Sequence, residues 1–533
     1  MNLPIYKQPL EGMRGADLQK KFSRLTAFSA KSQVDEALKS QAQKLADGNP
    51  RLLEWLDKIL QNTTVDVAAI LNRLAADPVE LREQVLAEAL LQQMDTTMRE
   101  MLSRGLVFEL PVPREALAAV CDSIANLEHY ISRAVALGLL EVSHDEALRV
   151  PRILPVQIGS DGEVLYKQAA EVLYRLWWEE AKTTTEEQGL EIHRLALRGK
   201  VDKIAVEIAD NLARRWKSQS RFREVVQLCN FTLEIAEHHL ILHQLARSEQ
   251  ELGDVSKAQE HYQQALNICP AEDEEEKAGI IHNLGYLKAN KGEIEEAIAL
   301  YKQSLAITKQ IGDVETKAAT LHEMGRLKQN RGEINEALAL YEQSLAITEQ
   351  IGDVETKATT LHNLGSLKAD RGEIEEAIAL YEQSLAINEQ IGNVQGKAAT
   401  LHQLGLLQAD RGEITEAIAL YKQSLALKEQ IGDIGGQAVT LQQLGILKAN
   451  SGEINEAIAL YKQSFAITEQ IGDVQGQAMT LWCLGHIAEQ QGDYNQALDY
   501  LQPALEILQR IQSPDAEKVR QMVARVQGLI RNS

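Results

Sequence analysis

His282, His322, His362 and His402 stand forty residues apart along the chain. Imidazoles at such regular spacing suggest a ladder of metal ligands. Zinc, however, needs its ligands about 2 Å away in a tetrahedron, whereas packed helices stand about 10 Å apart. One histidine per helical unit therefore cannot share an ion with the next, and the four read as duplicated polar positions on one face. His238, His239 and His243 have helical spacing and read as packing residues. The acidic run Glu272, Asp273, Glu274, Glu275, Glu276 could attract a cation, but acids at a helix start also complement its dipole. Cys121, Cys229, Cys269 and Cys483 are far apart and form no CxxC pair. Four scattered thiols fit a reducing, cytoplasmic setting. No G-x-S-x-G, H-E-x-x-H or kinase string occurs. The phosphate-cradling G-x4-G-K-[ST] is also missing, and GMRGADLQKK near the start lacks its spacing. The expectation is a chain that is not an enzyme and needs no metal or cofactor.

What must position these residues is a helical array. With 533 residues the chain exceeds one core and should hold several units. Hydrophobic residues make up 44% and aromatics only 5%, a balance that favours helix over sheet. The net charge of -22 opposes general binding to nucleic acid or anionic membranes. The opening MNLPIYKQPLEGMRGADL has no apolar core of a signal peptide, and no run of about 18 apolar residues suggests a membrane span. The string GEIEEAIALYKQSLAI at Gly292 returns in close copies at Gly332, Gly372, Gly412 and Gly452, with a weaker copy at Gly492. Each unit reads as two helices, with Ile374, Ala377, Ile378, Tyr381, Leu385 and Ile387 at three- and four-residue steps. Gly352 suits a helix C-terminus, and Asp353 can cap the next helix. Gly365 and its copies lie inside a helix, where glycine costs about 1 kcal/mol relative to alanine. Their return predicts a close approach of the two helices, together with Ala377.

Leu361, Leu364, Gly365, Ala377 and Tyr381 occupy the pattern by which the array resembles tetratricopeptide repeats, in their forty-residue variant of cyanobacterial type. Two divergent copies, ending near Ile235 and Cys269, precede the six regular ones. The resemblance implies an all-α, right-handed α-solenoid: two divergent repeats over 202–270, six regular repeats over 271–512, and a capping helix over 513–533. Further upstream, Gly48, Asn49 and Pro50 match the turn that closes the helical lid of STAND ATPases, relatives of the NACHT and NB-ARC proteins. In that family the proline lies against the nucleotide base, so Pro50 would make this contact if a nucleotide domain were supplied. The stretch from Arg104 to Leu154 has helices followed by LLEV and LRVP around a polar turn, a winged-helix pattern. The histidine that often follows the second wing strand in that family is replaced here by Pro151. The N-terminal part thus resembles a helical lid remnant over 1–77, a winged-helix-like domain over 78–158 and a helical bridge over 159–201, without the P-loop domain.

The inner face of such a solenoid is its usual binding surface. Candidate groove residues are His322, His362 and His402, the amides Asn363, Gln403 and Gln443, and the varied position occupied by Arg326, Leu406 and Ile446. Trp482 belongs to an apolar end of this face, with Val439 and Met479, unless the terminal helix covers it. The leading function is a scaffold or sensor arm that binds a protein or peptide in the groove. One alternative is the C-terminal half of a split signal-transduction ATPase completed by a separate P-loop NTPase chain. Another is a winged-helix transcription regulator, but ANLEHYISRAVALGLL carries one Arg and one Glu, and residues 95–155 hold no Lys. That is poor material for phosphate contacts.

Overall fold

The computed structural model describes residues 15–29 and 32–532; the opening of the lid-like segment and the stretch inspected for a signal peptide lie outside them. The chain divides into two compact units, Met1–Cys269 and Pro270–Ser533.

In the first unit, Asp35 caps the helix Glu36–Ala46 by accepting from the amides of Ala37 and Leu38. Asp47 and Gly48, with φ of 46° and 74°, reverse the chain. Asn49 then caps Pro50–Leu60, accepting from Arg51 and Leu52 at 3.0 Å each. Pro50 occupies the first turn, where no amide hydrogen is needed, and is exposed. Three helices, Thr96–Gly105, Arg114–Val120 and Leu127–Leu137, precede a hairpin of Glu141–Val142 with Leu148–Arg149. Val112, between the first two of these helices, exchanges backbone hydrogen bonds of 2.9 and 2.7 Å with Leu148. Ile131, Ala134, Leu137, Leu139 and Leu148 are buried here, so the small hairpin shares the core of the three helices. Further on, Gly162–Leu173 runs into a π-helical turn, Tyr174–Glu179, and Glu186–Arg198 follows behind a Thr185/Gln188 capping box. Four more helices complete the unit: Asp202–Ser218, Phe222–Leu233, His239–Glu251 and Val255–Ile268.

The second unit is a solenoid of helix pairs, from Glu274–Asn290 with Ile294–Ile311 to Val474–Gln490 with Tyr494–Arg510. Local chemistry sets each boundary. Asp313 and Asp353 accept from the amides of Thr316 and Thr356, capping the first helices. Gly352 ends a second helix with φ of 75°. Across the turn within a repeat, Lys368 pairs with Glu373 and Glu376, as Lys288, Lys328 and Lys448 do with their counterparts. Ion pairs this near the surface add little, so burial must hold the repeats together.

The helical glycines mark that burial. A Cβ on Gly365 would stand 3.0 Å from both Cδ1 and Cε1 of Tyr381, and one on Gly445 would stand 2.6 Å from Cε1 of Tyr461. The close approach expected at this glycine is made by the tyrosine ring of the second helix. In the last pair Leu501 replaces the tyrosine and lies 2.6 Å from the corresponding point on Gly485. The final helix, Ala516–Asn532, closes the array by laying Val519, Met522 and Val526 against Leu501, Ala504 and Leu508.

Candidate functional site

The repeated histidines join neighbouring repeats. Nδ1 of His282, His322, His362 and His402 lies 2.9, 2.9, 3.0 and 3.2 Å from Oγ1 of Thr320, Thr360, Thr400 and Thr440 in the following repeat. Thr320, Thr400 and Thr440 donate their own protons to carbonyl oxygens four residues back, at 2.7 to 2.8 Å. Their hydroxyl oxygens are then acceptors, which assigns the histidine proton to Nδ1. Each ring also packs against its own repeat's tyrosine, with centroids 5.1 to 5.6 Å apart. Burial pushes His322, His362 and His402 down to about 4. The first unit repeats the device: His193 Nε2 lies 2.9 Å from Thr232 Oγ1, and burial lowers this ring to about 4 as well. The sequence reading put His322, His362 and His402 on the groove surface. Their rings lie largely in the joint beneath it, His322 buried and the other two half-buried, because the next repeat's threonine draws Nδ1 inward.

Above the joint lie the other groove candidates. Asn363, Gln403 and Gln443 are half-buried, as are Leu406 and Ile446. Asn363 Nδ2 is 3.4 Å from His322 Nε2. Arg326 donates from Nε to Glu323 at 3.0 Å and lies 6.0 Å over the Tyr286 ring, so its charge is already partnered within its helix.

At the C-terminal end the face becomes apolar. Ile446, Tyr461, Met479, Trp482, Cys483 and Met522 line a cleft of about 640 Å³. Trp482 is half-buried: one side lines the cleft and another packs against the cluster beneath the terminal helix. Val439 is 47% exposed but does not line this cleft. Tyr461, Cys483 and Met522 were not singled out by sequence. Tyr461 looks like any repeat tyrosine, and Met522 arrives from outside the array. A signal for Met522 exists in the apolar steps Val519, Met522, Val523 and Val526. Burial pushes the Cys483 thiol up, which leaves it a packing group at neutral pH.

A tetratricopeptide repeat family model matches residues 237–310, 276–350, 316–390, 356–430 and 396–470, and a second matches 481–507. No curated protein matches the sequence. Among solved structures, a signal transduction ATPase with numerous domains (STAND) from Pyrococcus horikoshii, with a tetratricopeptide repeat sensor, is similar at a TM-score of 0.65. It is 17% identical, and the match covers 97% of this chain and 75% of that chain. The apo form of RapI is similar at a TM-score of 0.42 and 16% identity, covering 51% of this chain and 98% of its own. BtubC from P. vanneervenii matches at a TM-score of 0.33 and 19% identity, over 44% and 92%. With residues 237–470 and 481–507 matched by the family models and its fold shared with a STAND protein that bears such repeats, this chain carries an array of tetratricopeptide repeats.

Proposed function

We propose that this protein is a scaffold or sensor arm that captures a polypeptide along the inner face of its later repeats. The apolar cleft at Ile446, Met479 and Trp482 would anchor a hydrophobic side chain of that partner. The observation that carries this reading is the cleft itself, a recess in which Ile446, Met479, Trp482 and Met522 stand together with Asn450, His486 and Gln490. Partly exposed apolar surface of this kind marks interaction sites, and tryptophan is enriched among residues whose truncation costs about 2 kcal/mol or more of binding. Asn363, Gln403 and Gln443 add amides suited to the backbone of an extended ligand.

Peptides selected from a displayed random library on the wild-type chain provide the test. Ile446→Asp should weaken the selected peptides by at least about tenfold, because a carboxylate would have to be desolvated in the cleft. Its melting temperature should stay near that of wild type. Trp482→Ala should weaken binding and lower stability together, since the ring faces both the cleft and the terminal helix. Selected peptides that bind both variants as tightly as wild type would place the binding surface elsewhere.

The match to the Pyrococcus horikoshii protein favours a second reading, in which this arm reports to a nucleotide-binding domain on another chain. The exposed Pro50 after the Asp47–Gly48 turn, and the three helices with their hairpin, support a lid and a winged helix in that arrangement. This chain alone should give no heat on titration with ATP; micromolar affinity would overturn that division of labour.

A further inference from the structure

A second cleft, of about 680 Å³, lies in the first unit. One wall is the helix Asp202–Ser218, through Asp202, Val206, Glu207 and Asp210, and the other is the 235–240 segment. Trp178, from the π-helical turn, also lines it. Glu207 is held in place: its Oε1 accepts from Tyr174 Oη at 2.7 Å and from Trp178 Nε1 at 3.2 Å. Its Oε2 has no hydrogen-bond donor among the described residues. Asp202 and Glu237 are exposed at the rim. Against these carboxylates stands one lysine of the lining, Lys203. Asp210 is already paired with Arg214 at 2.8 Å and with Gln244 at 2.6 Å. His238 also borders the cleft.

The register of the cleft is that of the binding face. Glu207 stands 13 residues before Ser220 (220 − 207), Leu240 stands 13 before Gly253 (253 − 240), and Met479 stands 13 before Gly492 (492 − 479), all three turn residues having positive φ. Asn211 and Cys483 likewise share a register, nine residues before those turns (220 − 211 and 492 − 483). Equivalent positions thus carry an apolar cleft in the last regular repeat and an acidic, tryptophan-walled cleft in the first divergent one.

We propose that the Trp178–Glu207 cleft takes a cationic side chain, an arginine or lysine of a bound polypeptide. Charge complementarity selects the cation, and Trp178 gives the apolar stem of such a side chain an aromatic wall that a carboxylate cluster alone lacks. A carboxylate already fixed by two donors needs little reorganisation to meet it. That the cation belongs to a polypeptide rests on reading this register as the binding face; the preference for a cation does not.

The test is fluorescence anisotropy of a labelled tetra-arginine peptide on the full chain, near physiological ionic strength. Glu207→Gln retains an oxygen acceptor for Tyr174 and Trp178 while removing the charge, and should weaken binding about fivefold. Glu342→Gln, an equal charge change at an exposed site in the second unit, should leave the affinity unchanged. Equal losses in the two variants would mean diffuse attraction to an acidic protein and would overturn the site. Spermidine competing more strongly than the peptide per unit charge would overturn the polypeptide assignment. Ile446→Asp should not affect tetra-arginine binding, so this site and the apolar cleft can fail separately.

Discussion

The urea midpoint of this chain should fall markedly between pH 7 and pH 5, before the carboxylates contribute. His193 and His322 are buried and His362 and His402 half-buried, all held neutral, and they titrate near 4 in the folded protein, against an ordinary value of 6.5. As the pH drops below 6.5 the unfolded chain binds protons that the folded chain refuses. Stability is therefore whole above that value and drains away down to about pH 4. Each such histidine withdraws about 2 kcal/mol at pH 5 and about 3 kcal/mol at pH 4. Neighbouring charges bear on two of the sites. Arg326 and Lys428 oppose protonation of His322 and His402, while Glu323 approaches His322 Nε2 to 3.9 Å. The array itself offers the control, because Gln442 occupies this position in the following repeat. Combining His322→Gln, His362→Gln and His402→Gln should flatten most of the drop within the second unit. A drop left as large as in wild type by the triple substitution would show that the joints are not its source.

The second large effect concerns the glycines under the tyrosine rings, and its sign should differ between two helical sites. Gly365→Leu forces a branched side chain against the Tyr381 ring. That ring is 1% exposed and is packed against His362 at 5.2 Å, so it has no room to swing. Overpacking of this kind costs about 1–3 kcal/mol. Gly528 lies in the terminal helix, and a Cβ added there would meet nothing within 4 Å. Gly528→Ala should therefore raise stability by up to about 1 kcal/mol, the difference in helix propensity. Urea midpoints of the two variants against wild type decide the matter. A neutral or stabilising Gly365→Leu would show that ring and glycine do not pack as described.

Much of this was legible because repetition amplifies weak local signals. One Asp before a helix is an ordinary residue, but Asp313, Asp353, Asp433 and Asp473 in the same place define a cap. The apolar drift of the groove could also be read, and Ile446 and Trp482 do meet in one cleft. The depth of the histidines was not legible. It depends on threonines 38 residues downstream, such as Thr320, whose hydroxyl meets His282 while donating its proton to a carbonyl of its own helix. The Trp178–Glu207 cleft was hidden for another reason. One wall, the helix Asp202–Ser218, leaves the 3.6-residue periodicity on which a helical reading relies, but the π-helical turn and the non-helical link opposite it do not.

The histidine-to-threonine joints also bear on how the gene can change. Each joint links chemically identical partners at a fixed offset, so the repeats that carry His282, His322, His362 and His402 present the same two edges. Excision of residues 333–372 would leave His322 facing Thr400 where Thr360 had been, with the same imidazole meeting the same hydroxyl at the same separation along the shortened chain. Recombination between near-identical coding segments can then lengthen or shorten the array by whole turns of the solenoid without orphaning a polar group. The ends do not share this freedom, since Trp482 and Leu501 stand where the interior has histidine or glutamine and tyrosine. Natural variants of this protein should therefore differ in the number of middle repeats while keeping the final pair and its covering helix.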